Sequence, residues 1–190
     1  MIDSIRKAVA ESLELKRVFF QKNEELLARV ASEICAALEN DNKILLYGNG
    51  GSAADAQHIA AEWVGKFMRE RRPLPAIALT TDTSILTAVG NDYGYDQVFV
   101  RQVRAQGRKG DVAIAISTSG NSPNVLMATE AAREIGMVTV GLTGRDGGKL
   151  GPLVQYHLNV PHQFSPRIQE VHIMIGHILC GLTEDNMKGL

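Results

Sequence analysis

The chain has 190 residues, of which 45% are hydrophobic and 22% are charged, and its formal net charge is −1. This length and balance are typical of one globular domain with a full core, so we expect a single domain over residues 1–190. The near-neutral charge argues against nucleic-acid binding by phosphate neutralisation, and no apolar run approaches the ~18–20 residues that a membrane span needs.

The first predicted element is a helical region over residues 2–38, where apolar residues recur at three-to-four spacing. The polar segment Gln21–Asn23 predicts a break into two helices. Alternating charges at the N-terminus argue against a secretory signal peptide. Because this apolar face lies outside the α/β pattern that follows, we expect residues 1–40 to pack in a homo-oligomer.

From residue 43 onward, short β-type runs alternate with amphipathic helical stretches. The predicted strands are Lys43–Tyr47, Ala76–Leu79, Val112–Ile116, Val138–Leu142 and Tyr156–Val160. The predicted helices are Ala53–Met68, Thr83–Ala88, Gln97–Ala105, Pro123–Ile135 and Arg167–Asn186. This alternation predicts an α/β fold, a three-layer αβα sandwich around a five-stranded, mostly parallel sheet. Ligands of such sheets bind at the carboxyl ends of the strands.

The basic residues and the cysteines indicate possible partners and the redox environment of the protein. The tightest basic cluster, Arg69–Arg72, is interrupted by Glu70, and we expect a solvated helix end there rather than a phosphate site. Cys35 and Cys180 are far apart and outside any CxxC spacing. We therefore expect two free, buried cysteines in a reducing, cytoplasmic environment.

The first polar loop, Gly48–Ser52, joins a predicted strand to a predicted helix. Its glycines can expose backbone N–H groups, and Ser52 at the helix start favours an anion there, so the loop is a candidate for phosphate or sugar binding. A simple tight turn is the alternative. The loop also fits the dinucleotide fingerprint through Ala53, but the acid at the end of the next strand, Asp82, lies too far along the chain. Nucleotide binding is therefore not favoured.

The second polar loop, residues 117–123, follows the apolar strand Val112–Ile116 and carries four hydroxyl groups before a helix that begins near Pro123. Hydroxyls and free N–H groups can bind phosphate without a lysine. The loop lacks the G-K-[ST] of a P-loop, which argues against nucleoside triphosphate hydrolysis. A serine-rich helix cap is the alternative, but it leaves most of the hydroxyls without a role.

Two predicted helices carry candidate catalytic or metal-binding groups. His58 and Glu62 lie at i and i+4 on one helix face. Gln169 and His177 on the C-terminal helix are eight residues apart, which places them about 12 Å apart along the axis. Two histidines, a carboxylate and an amide oxygen suit zinc, whereas a surface salt bridge and a packed histidine are the alternatives. We expect His172 to serve elsewhere.

Taken in order, these motifs resemble the phosphoheptose isomerase family over nearly the whole chain. The motifs are Gly48–Ser52, Ala56–His58 with Glu62, Gly90–Asp92, Ser117–Ser122, Leu142–Gly144 with Asp146–Gly148, and Arg167–Glu170 with His177. The resemblance implies the sugar-isomerase (SIS) fold, a homotetramer with active sites at subunit interfaces, and interconversion of sedoheptulose 7-phosphate and D-glycero-D-manno-heptose 7-phosphate for surface glycans such as lipopolysaccharide.

The resemblance also implies site residues, carried over position by position. One zinc ion per subunit would be held by His58, Glu62, Gln169 and His177. The implied substrate-binding residues are Asn49, Gly50, Gly51, Ser52, Glu62, Asn91, Asp92, Ser117, Thr118, Ser119, Ser122 and Gln169. Some family members carry an acid where this chain has Pro166, so no role of that acid is transferred.

Aldose–ketose isomerisation needs a base, an acid and a group that polarises the carbonyl. We hypothesise that Glu62 abstracts the proton, that His177 exchanges protons with the substrate oxygens, and that zinc steadies those oxygens. Glu62 cannot be a tight ligand and a free base at once, so either it moves between the two roles or the metal is partly structural.

Non-catalytic functions are the alternatives. The same loops occur in the DnaA initiator-associating SIS protein, which lacks counterparts of Glu62 and His177. A sensing SIS module would be expected to carry a second domain, for which 190 residues leave no room. A dehydrogenase is the weakest alternative because of the position of Asp82.

Overall fold

The structure is a computed structural model that describes residues 1–187, and it has three layers, with helices on both faces of a five-stranded sheet. The strands are β1 (Ile44–Gly48), β2 (Ala76–Ala78), β3 (Val112–Ser117), β4 (Val138–Gly144) and β5 (Tyr156–Val160). The helices are α1 (Ile2–Glu39), α2 (Gly51–Val64), α3 (Thr83–Tyr93), α4 (Val100–Gln106), α5 (Pro123–Ile135) and α6 (Ser165–Asn186). The predicted α/β sandwich is confirmed.

All strands are parallel, in the order β2-β1-β3-β4-β5. Alternate residues of β1 enter different cores, because successive side chains of a strand point to opposite faces. Ile44 and Leu46 pack with α1, α2 and α6, whereas Leu45 and Tyr47 pack with α4 and α5. β1 and β3 are completely buried, which is why they read as continuous apolar runs.

Helix α1 is continuous, so the predicted break at Gln21–Asn23 is wrong. Asn23 donates its side-chain amide to the carbonyl of Phe19, one turn earlier, and the helical hydrogen bonding continues through this segment. Only the second half of α1 packs on the sheet. Its first half exposes the apolar stripe of Ile2, Ile5, Val9 and Leu13, each at least 53% exposed.

Helix α2 ends at Val64, four residues before the predicted end, and the chain leaves it through an irregular segment. Within this segment the expected solvated basic cluster is wrong for Arg71, whose side chain is 1% exposed and pairs with Glu184 of α6. The partner lies 113 residues away, which no local pattern can indicate.

Three smaller predictions can be compared with the structure. The predicted helix Gln97–Ala105 begins later, at Val100, after a short 3-10 turn at Tyr95–Gln97. Cys35 and Cys180 are free and buried, as expected. Within residues 1–187, none of the helices combines the length and apolar character that crossing a bilayer requires.

Candidate active site

The two polar loops lie side by side at the carboxyl edge of the sheet. Gly48 at the end of β1 pairs in register with Ile116 near the end of β3, so the loops that follow begin next to each other. A side chain at Gly48 would lie 2.7 Å from the Ile116 carbonyl, which explains the glycine. This edge is the one at which parallel sheets bind ligands.

The hydroxyls of the second loop face one another. Ser117 Oγ lies 3.1 Å from Ser122 Oγ and 3.5 Å from Ser119 Oγ. In the part of the chain that the structure describes, the Ser122 side chain makes no capping hydrogen bond to α5, although Ser122 occupies the N-cap position. Capping of α5 therefore does not explain this cluster of hydroxyls, which lies at the positive end of the helix.

The loop after β4 holds the second loop in place. Gly120 has φ +64°, and a side chain there would overlap the Gly147 carbonyl. The backbone N–H of Leu150 donates to the Gly120 carbonyl (2.9 Å), and that of Lys149 donates to Asn121 Oδ1 (3.1 Å). The second loop therefore has a fixed conformation that depends on glycines in both segments.

The first loop is fixed through Asn49 by two residues that the sequence analysis did not identify, Asn124 and Tyr95. Asn49 and Asn124 exchange two side-chain hydrogen bonds of 2.9 Å, and Tyr95 Oη donates to Asn49 Oδ1 at 3.1 Å. Asn124 is 2% exposed. Its position just after Pro123, inside a predicted amphipathic helix, gave no signal of a polar role.

The start of α6 adjoins both loops. Thr118 Oγ1 lies 3.2 Å from Ser165 Oγ, at the first residue of α6. Gln169, one turn later, lies so close to Gly51 that a side chain at Gly51 would overlap the Gln169 amide. The predicted residues Gly51, Thr118 and Gln169 are thus brought to one place.

His58, Glu62 and His177 converge from two helices. His58 Nε2 lies 3.1 Å from Glu62 Oε1 and 3.5 Å from His177 Nε2, and one ligand atom of each residue falls within 4.8 Å of the others. All three retain solvent access. The structure therefore joins the pair on α2 to the histidine on α6.

This donor set fits a metal ion. Two ligands about 2.05 Å from a tetrahedral zinc ion lie about 3.3 Å apart, close to the two distances from His58. Two imidazoles and a carboxylate are donors that zinc commonly takes, with an open position left for substrate. Gln169 lies on the same helix as His177, two turns earlier, with its amide beside Gly51.

Asn91 and Asp92 stand apart from these groups. Asn91 donates to Asp92 Oδ1 (2.8 Å), and both are exposed near the end of α3. Within residues 1–187 the structure does not bring either side chain into hydrogen-bond contact with the other predicted site residues.

Asp55 is a further acid on α2 that sequence reasoning missed. Its Oδ2 is buried without a hydrogen-bond partner in the described chain. Burial raises the pKa of Asp55 to about 6, although nearby His58 opposes this shift. The sequence could have indicated Asp55 by its position three residues before His58, which places both side chains on the same face of the helix.

His172 serves elsewhere, as predicted. It is fully buried, its Nε2 lies 2.9 Å from the Thr143 carbonyl at the end of β4, and burial lowers its pKa to about 4. His157 Nε2 lies 2.7 Å from Thr143 Oγ1, and burial lowers the pKa of His157 as well. Both histidines support β4 and its loop.

Comparison with known proteins places this geometry in a family. The SIS domain model matches residues 9–144. The phosphoheptose isomerase of Aquifex aeolicus is 54% identical over 185 residues, covering 97% of each chain, and that of Nitratiruptor sp. is 56% identical over 189 residues, covering 98% of this chain and 100% of the relative.

Two solved structures are similar throughout. Phosphoheptose isomerase from Neisseria gonorrhoeae has a TM-score of 0.90 and 49% identity, with 96% of this chain and 98% of that chain covered. The enzyme from Francisella tularensis has a TM-score of 0.93 and 38% identity, with 97% and 98% covered. Both the fold and the lengths therefore agree.

Proposed function

The chain belongs to the phosphoheptose isomerases of the SIS-domain family, and we propose that it interconverts D-sedoheptulose 7-phosphate and D-glycero-D-manno-heptose 7-phosphate. The relatives named phosphoheptose isomerase match more than nine-tenths of the chain at about half identity and support an aldose–ketose isomerase. The observation that carries the mechanism is the convergence of Glu62 and His177, from α2 and α6, in one cluster.

The phosphate group is assigned to the second loop. Ser117, Ser119 and Ser122 group their hydroxyls at the N-terminus of α5, where the helix dipole favours an anion. Thr118 adds a hydroxyl beside the first residue of α6. The first loop, Asn49–Ser52, borders the same edge of the sheet and is assigned to the sugar hydroxyls. Asn91 and Asp92 are assigned to the substrate by family resemblance alone.

The reacting end of the sugar is assigned to the helix pair. His177 lies two turns of α6 beyond Gln169, or about 12 Å along the axis, and Gln169 adjoins the first loop. Both side chains are long, so they would have to converge on the single proposed metal ion from the two ends of this span. The substrate would then extend from the serine-rich loop to the helix pair, with its carbonyl near His177.

Glu62 is proposed as the base. Its carboxylate would take the proton from the carbon next to the carbonyl and return it to the neighbouring carbon, which gives the enediol and then the isomer. His177 would give a proton to one substrate oxygen and accept one from the other. Partial burial of Glu62, whose side chain is 25% exposed, keeps it in reach of both solvent and substrate.

One zinc ion per subunit is proposed at His58, Glu62, Gln169 and His177. Bound there, it would act as a Lewis acid on the oxygens of the reacting carbons. Glu62 would then either move between ligand and base or serve a partly structural metal, and both options stay open.

The assembly is proposed to be a homotetramer in the cytoplasm, built from a single SIS domain over residues 1–190. Support for assembly comes from the exposed apolar stripe on the first half of α1, which lies outside the packed core and is typical of a protein interface. The product would supply heptose precursors of lipopolysaccharide or other surface glycans. A DnaA initiator-associating function is not supported by the relatives.

The proposal is tested with purified protein and sedoheptulose 7-phosphate, followed by NMR with and without a chelator. We expect the aldose to appear, to stop appearing after chelation, and to return when zinc is added. A protein that binds the sugar phosphate without forming aldose would be a binding protein instead.

A further inference from the structure

Residues 65–72, called here the strap, connect the end of α2 to the chain that enters β2 and contain no helix or strand. Glu184, in the last turn of α6, binds the backbone of the strap. Its carboxylate accepts the backbone N–H groups of Phe67 (2.9 Å), Met68 (2.9 Å) and Arg69 (3.1 Å). One carboxylate therefore fixes three successive residues of the strap.

Arg71, at the end of the strap, joins this carboxylate to α2. Its Nε donates to Glu184 Oε1 at 2.8 Å. Its Nη2 donates to the carbonyl of Glu62 (2.8 Å), and its Nη1 donates to that of Trp63 (2.9 Å). These carbonyls belong to the last turn of α2, where a helix leaves its acceptors without partners.

Helix stability does not explain Glu184. A negative charge in the last turn of a helix opposes the helix dipole. The Arg71 and Glu184 side chains are 1% and 2% exposed, and burying an ion pair costs desolvation free energy that its attraction often fails to recover. Burial alone would raise the pKa of Glu184, but the backbone donors and Arg71 lower it, so the group stays charged.

The Arg71–Glu184 pair is connected to both proposed proton-transfer residues, Glu62 and His177. On one side, Arg71 holds the backbone carbonyl of Glu62 itself. On the other side, the strap carries Phe67, whose ring packs on the His177 ring with centroids 5.5 Å apart. The pair thus fixes the end of α2 and the aromatic neighbour of the histidine on α6.

We propose that Arg71 and Glu184 are positioning residues for the isomerase, which set the separation and direction of the Glu62 and His177 side chains. The inference rests on the proposed function of those two residues. Neither Arg71 nor Glu184 touches the substrate, and each acts through the strap and the end of α2.

The test uses Arg71→Lys and Glu184→Gln in the full-length protein, with Asp111→Asn as the matched control. Asp111 is also a buried carboxylate, and it accepts hydrogen bonds from the Lys43 side chain and from the backbone N–H groups of Lys43 and Arg108, at the start of β3. It lies at the opposite edge of the sheet from the site. Four quantities are measured, namely Tm, cobalt(II) affinity of the metal-free protein by absorption, kcat and KM.

We expect Arg71→Lys and Glu184→Gln to weaken cobalt binding and to lower kcat, each by about tenfold, as changes behind a metal site do. KM should change little, because the serine-rich loop is untouched. Asp111→Asn should lower Tm without changing cobalt affinity or kcat. The proposal would be overturned if Arg71→Lys and Glu184→Gln kept the cobalt affinity and kcat of the wild type. It would also be overturned if Asp111→Asn lost as much cobalt affinity and kcat as they do.

A third variant, Phe67→Leu, tests the proposal if both Arg71→Lys and Glu184→Gln fail to fold. Phe67→Leu keeps the ion pair and removes the ring that packs on His177, and it should lower kcat with KM unchanged. An unchanged kcat in that variant would contradict the proposal. The proposed function fails separately, if the wild type forms no aldose or turns over without binding any metal.

Discussion

His58 Nε2 and His177 Nε2 lie 3.5 Å apart although the two residues are 119 positions apart in sequence and belong to different helices. This meeting depends on how closely α2 and α6 cross. At the crossing, the Ile59 side chain fills the space where Gly176 has no Cβ. The separation of the two imidazoles therefore depends on Gly176, which has no side chain that could take part in the reaction.

Replacing Gly176 with Ala should push the two helices apart, because the added methyl would overlap Ile59. Overpacking of this kind costs about 1–3 kcal/mol of the free energy of unfolding. Cobalt affinity and kcat should fall as well, because the imidazoles separate. Gly181→Ala is the control, since its nearest neighbour, Phe67, lies 3.6 Å away in ordinary contact. Equal effects of the two substitutions on cobalt affinity would contradict this reading.

Gly120→Ala should raise KM for the sugar phosphate and destabilise the fold. The residue has φ +64°, and the new methyl would overlap the Gly147 carbonyl, so the serine-rich loop must move. Gly136→Ala is the control, because it also has positive φ but its nearest neighbour is the flexible Lys109 side chain at 3.3 Å. The control should lose only about 1–2 kcal/mol to backbone strain. An unchanged KM in Gly120→Ala would argue against phosphate binding by this loop.

His172 should make the fold less stable in acid. Burial lowers its pKa to about 4, whereas in the unfolded chain it titrates near 6.5. Its contribution is complete above pH 6.5 and is lost as the pH falls toward 4, because the unfolded chain binds the proton first; the loss is roughly 3 kcal/mol.

His172→Gln should therefore flatten the pH dependence of the free energy of unfolding between pH 6.5 and 4, measured by urea denaturation. Part of the slope should remain, because burial also lowers the pKa of His157. Parallel curves for the variant and the wild type would show that His172 is not held neutral by the fold.

The exposed apolar stripe on α1 is expected to form the interface between subunits. Val9→Glu and Leu13→Glu should give smaller species by light scattering, because both residues expose apolar side chains on one face and a buried carboxylate would disfavour association. Ala10→Glu adds the same charge at an exposed neighbouring position outside the stripe and should leave the assembly intact. A tetramer that survives both stripe variants would place the interface elsewhere.

The sequence predicted the sheet and most of the fold because local periodicity reports burial. β1 and β3 are buried on both faces and read as unbroken apolar runs, and Pro123 marks the start of α5 where it was expected. The helical pattern of α1 was also clear, but local polarity at Gln21–Asn23 did not show that the helix continues.

What the sequence could not predict depends on contacts between distant segments. Arg71 looked like part of a solvated cluster, since its partner Glu184 is 113 residues away. The exchange of hydrogen bonds between Asn49 and Asn124 spans 75 residues. His58 and Glu62 could be paired by their spacing alone, whereas bringing His177 to them required the crossing of α2 and α6.

The most direct test of the account is Glu62→Gln with sedoheptulose 7-phosphate. NMR would follow both the binding of the sugar phosphate and the formation of the aldose, beside the wild type. We expect the variant to bind the sugar phosphate and to form no aldose, since glutamine keeps the shape of the side chain and cannot accept the carbon-bound proton. Aldose formation at the wild-type rate would contradict the assignment of Glu62 as the base.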